Sequence, residues 1–203
     1  MNLLENFINE CDIALKTLSF KKSGTGRSYP ANEAPSSLSK EEKNLSAQLM
    51  RVNLAGEVAA QALYRGQAMV CNDAEIKNHL VQAGEEETDH LIWCKKRLEE
   101  LNGKPSILNP VWYAGSFAIG AIFGSFGEKT SLGFVEETEK QVVKHLERHL
   151  DKVSKNDTQT IEILKTMRAD EDEHAQEAVE NGSESLSEPT KKIMSFTAKV
   201  MTS

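Results

Sequence analysis

One arrangement of acidic and imidazole side chains is written twice along this chain. Glu57 is followed by Glu87-Thr88-Asp89-His90, and Glu136 by Glu171-Asp172-Glu173-His174. Within each Glu-x-x-His, a separation of three residues puts both side chains on one helix face, about one turn apart. In an antiparallel helix hairpin, facing residues lie equally far from the turn, so the midpoint between each lone glutamate and its Glu-x-x-His should fall on a turn signal. Both midpoints do. The first falls at Cys71-Asn72-Asp73, where an Asn-Asp step ends one helix and caps the next. The second falls within Ser154-Lys155-Asn156-Asp157-Thr158, a cluster of breakers and N-cap residues. The spacing therefore predicts two helical hairpins whose six side chains converge at one level of a bundle.

A single Glu-x-x-His on a solvated helix is an ordinary surface face. Here both copies come with an upstream glutamate in apolar company, Leu54-Ala55-Gly56-Glu57-Val58-Ala59-Ala60 and Gly133-Phe134-Val135-Glu136. A carboxylate on a helix face meant for the core is costly unless it is paired or bound to a cation. A glutamate from each of two helices, with Glu-x-x-His from each of the other two, is the ligand set with which a four-helix bundle holds two iron or manganese ions. The candidate metal ligands are Glu57, Glu87, His90, Glu136, Glu171 and His174, and the four glutamates are the candidate catalytic residues. Ligating imidazoles usually donate their other N–H to a carboxylate or carbonyl. Glu86, Asp89, Asp170 and Asp172 lie close enough in sequence to serve, Asp170 first among them.

Composition narrows the rest. At 203 residues and 39% hydrophobic content, the chain can bury one core without a second domain. A net charge of −7 with no concentrated basic tract argues against nucleic-acid binding. Cys11, Cys71 and Cys94 are odd in number and lack Cys-x-x-Cys spacing, so neither a disulfide framework nor a zinc ribbon is indicated, and reduced thiols are expected. The N-terminus has neither the basic region nor the long apolar stretch of a secretory signal. The expectation is a protein that is not exported.

No strand-like alternation is sustained, so the predicted class is all-α. Residues 2–19 read as a short helix with Leu3, Leu4, Phe7, Ile8, Ile13 and Leu15 apolar. Lys21 to Ser28, followed by Pro30 and Pro35, is too rich in glycine, serine and proline to stay regular, and its basic residues read as solubilising. Ser39-Lys40-Glu41-Glu42 opens a helix running to about residue 70. A second helix spans about 73–101 and stops at Asn102-Gly103-Lys104-Pro105, with Gly103 as the capping glycine. Two more span about 130–153 and 157–180, and a last amphipathic one follows Pro189, with Ile193, Met194, Phe196, Val200 and Met201 apolar.

The middle element differs from the others. Pro105 to Gly127 contains no charged side chain, and Val111 to Phe126 is apolar all round. Roughly 20 such residues could cross a bilayer. A true span would leave the two hairpins on opposite sides of the membrane, and the six ligands could not meet. Two options remain: a buried crossover, or a helix resting in a membrane surface with Trp112, Tyr113, Phe117 and Phe123 as anchors. Membrane contact is the favoured expectation, because the ligand helices already supply a core.

Several segments together resemble one family: Arg51-Val52-Asn53-Leu54-Ala55-Gly56-Glu57, Ala62-Leu63-Tyr64-Arg65-Gly66-Gln67, Glu85 to Leu91, Trp112 to Ser116, and Leu132 to Glu139. They are similar to the demethoxyubiquinone hydroxylases of the Coq7 type, over about residues 42–201. The resemblance implies a ferritin-like four-helix bundle at 42–203 with an added membrane-contacting helix, preceded by an N-terminal helix and flexible linker at 1–41. It implies a di-iron monooxygenase with the six ligands named above, dioxygen as co-substrate and an external electron donor. The implied substrate is a prenylated 3-demethoxyubiquinol, hydroxylated in the penultimate step of ubiquinone biosynthesis. The implied location is the cytoplasmic side of the cell membrane, peripherally attached, alone or pairing with a second copy or other ubiquinone-biosynthesis proteins. One departure stands out. Family members commonly carry histidine where this chain has Leu54, a position outside the six ligands.

Rivals within the same fold are a ferritin-like ferroxidase and a manganese catalase, neither of which needs a long uncharged segment in its middle. A metal-free, membrane-associated helical scaffold is the non-enzymatic alternative.

Overall fold

Helix starts are fixed by the residues placed before them. Ser39 accepts from the Glu42 amide at 3.2 Å while its own amide donates to Glu42 Oε2 at 2.8 Å, a reciprocal capping box. Asp73 accepts from the Glu75 and Ile76 amides, and Asp157 from that of Thr160. The computed structural model describes residues 3–31 and 37–201; Pro35 and the side chains of Leu3, Leu4, Phe7 and Met201 lie outside the described residues. In chain order the helices are α1 (Leu3–Leu18), α2 (Lys40–Val70), α3 (Ala74–Glu100), α4 (Asn109–Gly124), α5 (Glu128–Lys152), α6 (Thr158–Glu180) and α7 (Glu188–Met201). Among the described residues there is no strand.

The helices end as the physics of orphan carbonyls requires, with one difference from expectation. At the end of α3 the left-handed position is taken by Asn102 (φ 58°), not Gly103. The Gly103 amide then reaches back to Leu98 O at 2.8 Å and that of Asn102 to Glu99 O at 2.8 Å, a Schellman arrangement. Gly103 is still needed, because a Cβ there would collide with the Leu98 side chain.

α2 and α3 form one hairpin and α5 and α6 the other, with α4 as the crossover between them. The largest apolar cluster joins Met50, Leu54 and Val58 of α2 to Leu91, Cys94 and Leu98 of α3, Leu146 of α5, and Ile163, Leu164 and Met167 of α6. A buried Arg97 ties the hairpins at one end, bonding Asp157 (2.6 Å), Gln159 (2.9 Å) and Thr160 (2.9 Å).

α4 is neither a buried crossover nor a span. No described helix is long and apolar enough to cross a membrane. Gly66, Gly120 and Gly124 let α2 and α4 approach backbone to backbone, since a Cβ at Gly120 would strike Leu63 O and one at Gly66 would strike Phe117 O. Tyr113 and Phe117 share that inner face, and Phe123 packs on Phe134 with ring centroids 4.1 Å apart. Tyr113, Phe117 and Phe123 are therefore turned toward protein, and Trp112 is half-buried. The outward stripe is formed instead by Val111, Ala114, Ala118, Ile122 and Phe126, which are exposed and uncharged.

Candidate metal centre

Glu57 on α2, Glu87 and His90 on α3, and Glu171 and His174 on α6 are all buried and meet inside the bundle. Glu57, Glu87, His90 and Glu171 each bring one ligand atom within 4.8 Å of the others. Nδ1 of His90 lies 3.1 Å from Glu87 Oε2, 3.2 Å from Glu171 Oε1 and 3.7 Å from Glu57 Oε2. Nδ1 of His174 lies 3.3 Å from Glu87 Oε1 and 3.5 Å from Glu171 Oε2. Glu87 and Glu171 thus each turn one oxygen toward each imidazole. Were two cations bound, Glu87 and Glu171 could serve both, with one histidine for each.

Glu136 does not join them. Its carboxylate is partly exposed and is held by Lys140 and Ser183. The fourth carboxylate is Glu139, one turn further along α5, which is 1% exposed and accepts from Tyr64 Oη at 2.7 Å. Its electrostatic neighbours are Glu171, Glu87 and His174, which sets it at the edge of the same cluster. The hairpin-midpoint argument could not separate the two candidates. Three residues of sequence move the midpoint by less than two and leave it in the same turn. A finer signal was present in the heptad-like stripe Leu132, Val135, Glu139, Val142, Leu146, His149 and Val153, which faces the core and on which Glu139 sits, not Glu136.

The outer carboxylates follow a crossed rule. Nε2–H of His90 donates to Asp170 Oδ2 at 2.8 Å, and Nε2–H of His174 donates to Glu86 Oε2 at 3.0 Å. Each of these acids immediately precedes the inner glutamate of the opposite helix. The hydrogen bonds fix both rings with Nδ1 inward. Asp170 was the residue singled out from spacing, and Glu86 was in the same short set.

The charge balance tests whether cations fit. Burial raises the Glu57 carboxyl well above its usual range, with Glu87 and Glu171 adding to it against His90. Burial, with Glu171 and Glu87, does the same to Glu139. Glu87 is pushed up by burial too, but His90 and His174 outweigh this and hold it low. Burial opposes charge on His90, yet Glu87, Asp170 and Glu171 together raise it, and His174 is raised by Glu171, Glu86 and Glu87 in the same way. Were all four buried carboxylates ionised against at most two imidazolium charges, the excess would be −4 + 2 = −2 in a low-dielectric interior, which without cations is relieved by the protons that the raised Glu57 and Glu139 carboxyls retain. Moreover Glu87 Oε1, Glu171 Oε2 and His174 Nδ1 are buried without a hydrogen-bond partner. Two divalent cations would neutralise the four carboxylates and engage all three atoms.

The bundle has a ferritin-like fold, and this set of side chains fits a metal site at its centre. Its fold resembles that of a dodecameric thioferritin, the bacterioferritin-related protein from Bacteroides fragilis, with a TM-score of 0.52 and 20% identity over 68% of this chain and 84% of that one. Residues 44–203 match the family described as ubiquinone biosynthesis protein COQ7, and the chain belongs to that family. It is 48% identical over 202 residues to the 3-demethoxyubiquinol 3-hydroxylase of Francisella philomiragia, covering 100% of this chain and 96% of that protein. The enzymes of the same name from Legionella pneumophila (strain Lens) and Nitrosococcus oceani are 49% and 48% identical over 203 residues, each covered to 95%. Leu54 is fully buried in the apolar core, so this position contributes packing and no ionisable group.

Proposed function

We propose that this chain is a 3-demethoxyubiquinol 3-hydroxylase whose metal pair is iron, with dioxygen as co-substrate. The observation that carries this is the buried cluster of Glu57, Glu87, His90 and Glu171, with His174 against Glu87 and Glu171 and the buried Glu139 beside Glu171, in a chain whose near-full-length relatives bear that name. Carboxylates with only two imidazoles suit a hard cation that changes oxidation state. When bound, the iron pair supplies the dioxygen-activating redox chemistry.

The residues of the chain position, shield and balance charge. Asp170 and Glu86 set the tautomer of each histidine, so that the inward Nδ1 carries the lone pair. Tyr64 holds Glu139 in place at 2.7 Å. Leu54, Leu91, Cys94 and Met167, a turn or less away along the ligand helices, are at most 1% exposed and keep bulk water from this side of the centre. The corrected ligand set is Glu57, Glu87, His90, Glu139, Glu171 and His174.

A prenylated quinol is poorly soluble in water, and the outward stripe of α4 suits a peripheral position on the cytoplasmic side of the cell membrane. α7 adds exposed Ile193, Phe196 and Val200. The test is conversion of the demethoxy quinol to its hydroxylated product by purified, iron-loaded protein supplied with dioxygen and an external two-electron reductant, with iron counted per chain. Turnover that tracks an iron content near two per chain supports the assignment, and a chain that binds no iron refutes it.

A further inference from the structure

The segment 20–31 has no regular secondary structure, yet it is tied along α3 at nearly every turn. Lys22 pairs with Glu85 at 3.1 Å, and Thr25 donates to the buried Asp89. Arg27 lies 4.9 Å over the Trp93 ring. The Tyr29 ring receives Lys96 Nζ at 3.8 Å, and its hydroxyl donates to Glu100 at 3.1 Å. The register is that of an extended chain laid parallel to a helix. Seven extended residues reach about 23 Å, and the fifteen helical steps from Glu85 to Glu100 cover about 22 Å. Gly24 sits against Asp89 so closely that a Cβ would collide with its carboxylate. Lys22 and Arg27, which composition suggested were solubilising, are thus engaged.

Arg27 also leaves α3 to reach α6. Its guanidinium grips Asp170 with both forks, at 2.7 and 3.0 Å. Such a planar, two-bond contact fixes the carboxylate more tightly than a point charge would. Asp170 in turn receives Nε2–H of His90. Among the described residues no guanidinium grips Glu86 in this way: it is more exposed, accepts from Gln82 at 3.2 Å and feels Arg27 without a hydrogen bond to it.

We infer that residues 22–29 form a strap that makes the two metal positions inequivalent, with Arg27 as a positioning residue that acts through Asp170 to lock the His90 side. This rests on the metal-centre assignment above. The strap lies before residues 44–203, the part that the family model matches, and outside the helices that carry the ligands.

The experiment is a chelator challenge of the iron-loaded protein, following iron release with time, together with Mössbauer spectra of the loaded state. In Arg27→Gln, about half of the iron should leave roughly ten-fold faster, the scale on which loss of an outer-shell partner acts. The remaining half should leave at the wild-type rate, and one of the two iron environments should change. Arg27→Lys, which restores charge without the fork, should fall between. Gly24→Ala should reproduce the effect in weaker form, because its Cβ pushes the strap off Asp89 without removing any charged group. Unchanged release in Arg27→Gln beside a wild type holding two irons overturns this inference alone. Equal acceleration of both irons with a lowered melting temperature overturns it as well, since the strap would then merely support the fold. A wild type that holds no iron overturns the metal-centre assignment and this inference with it.

Discussion

Exchanging the acid for its amide at Glu139 and at Glu136 separates the two candidate ligands on α5. Glu139→Gln preserves shape and still accepts from Tyr64, so the hydroxyl is not orphaned. Without metal, this variant should be more stable than the wild type at neutral pH. The Glu139 carboxyl is raised by burial and by Glu171 and Glu87, so the native state binds the proton more tightly than the unfolded chain does. Stability therefore falls as pH rises from the unfolded value toward the raised one, and the cost is fully present above it. The amide removes that cost. With iron at about 100 times its dissociation constant, each occupied site stabilises the wild type by about 2.7 kcal/mol. For a chain of this size that is a rise of roughly 5–11 °C in Tm per site. Glu139→Gln should lose about one site's share of this rise, hold about one iron and turn over slowly. Glu136→Gln removes an exposed pair with Lys140 worth about 0–1 kcal/mol and should keep the full rise and both irons. Calorimetry with and without iron, alongside iron per chain, reads all of this. If Glu136→Gln loses iron and Glu139→Gln does not, the ligand set built here is wrong.

Other outcomes are equally specific. The His145 and His149 rings lie 4.0 Å apart, tilted by 58°, and burial, with their cationic neighbours, lowers them to about 4 and about 3. Neutral in the fold, they contribute stability that is present above about pH 6.5 and lost as pH falls toward those values. His149→Phe should flatten this acid limb in denaturant titrations, and an unchanged limb would exclude the pair as its source. Gly120→Ala should cost about 1–3 kcal/mol in unfolding free energy by forcing α4 off Leu63 O. Ile122→Asp or Phe126→Asp, on the outward face of α4, should release the protein from anionic vesicles while iron content persists. Retention of these variants on vesicles in flotation would remove α4 from the membrane surface.

Much of this protein follows from local chemistry alone. Helix caps at Ser39, Asp73 and Asp157, the apolar periodicity and the two turn clusters depend on residues within a few positions of one another, and they dictated two hairpins. The Glu-x-x-His pairs share a face because helical spacing requires it, which made Glu87, His90, Glu171 and His174 legible, along with Asp170 behind His90. Glu57 was legible because one glutamate stands alone in its apolar stretch. α5 offers three, Glu136, Glu137 and Glu139, within one turn of each other. Choosing among them depends on the rotation of α5 about its own axis, which is set by packing: Leu132, Val135 and Leu146 turn inward, Tyr64 waits opposite, and Glu139 is carried in with them. The same holds for α4, where the glycines that must touch α2 decided which apolar side chains face out. It holds for the strap, whose Gly-Ser-rich residues have no conformational preference of their own and acquire an extended path only because α3 and α6 present acids, Trp93 and Lys96 at matching intervals. What the sequence by itself determined were the elements and most of the chemistry within them; rotation, register and the partners of an irregular segment are long-range, and only the packed structure decided them.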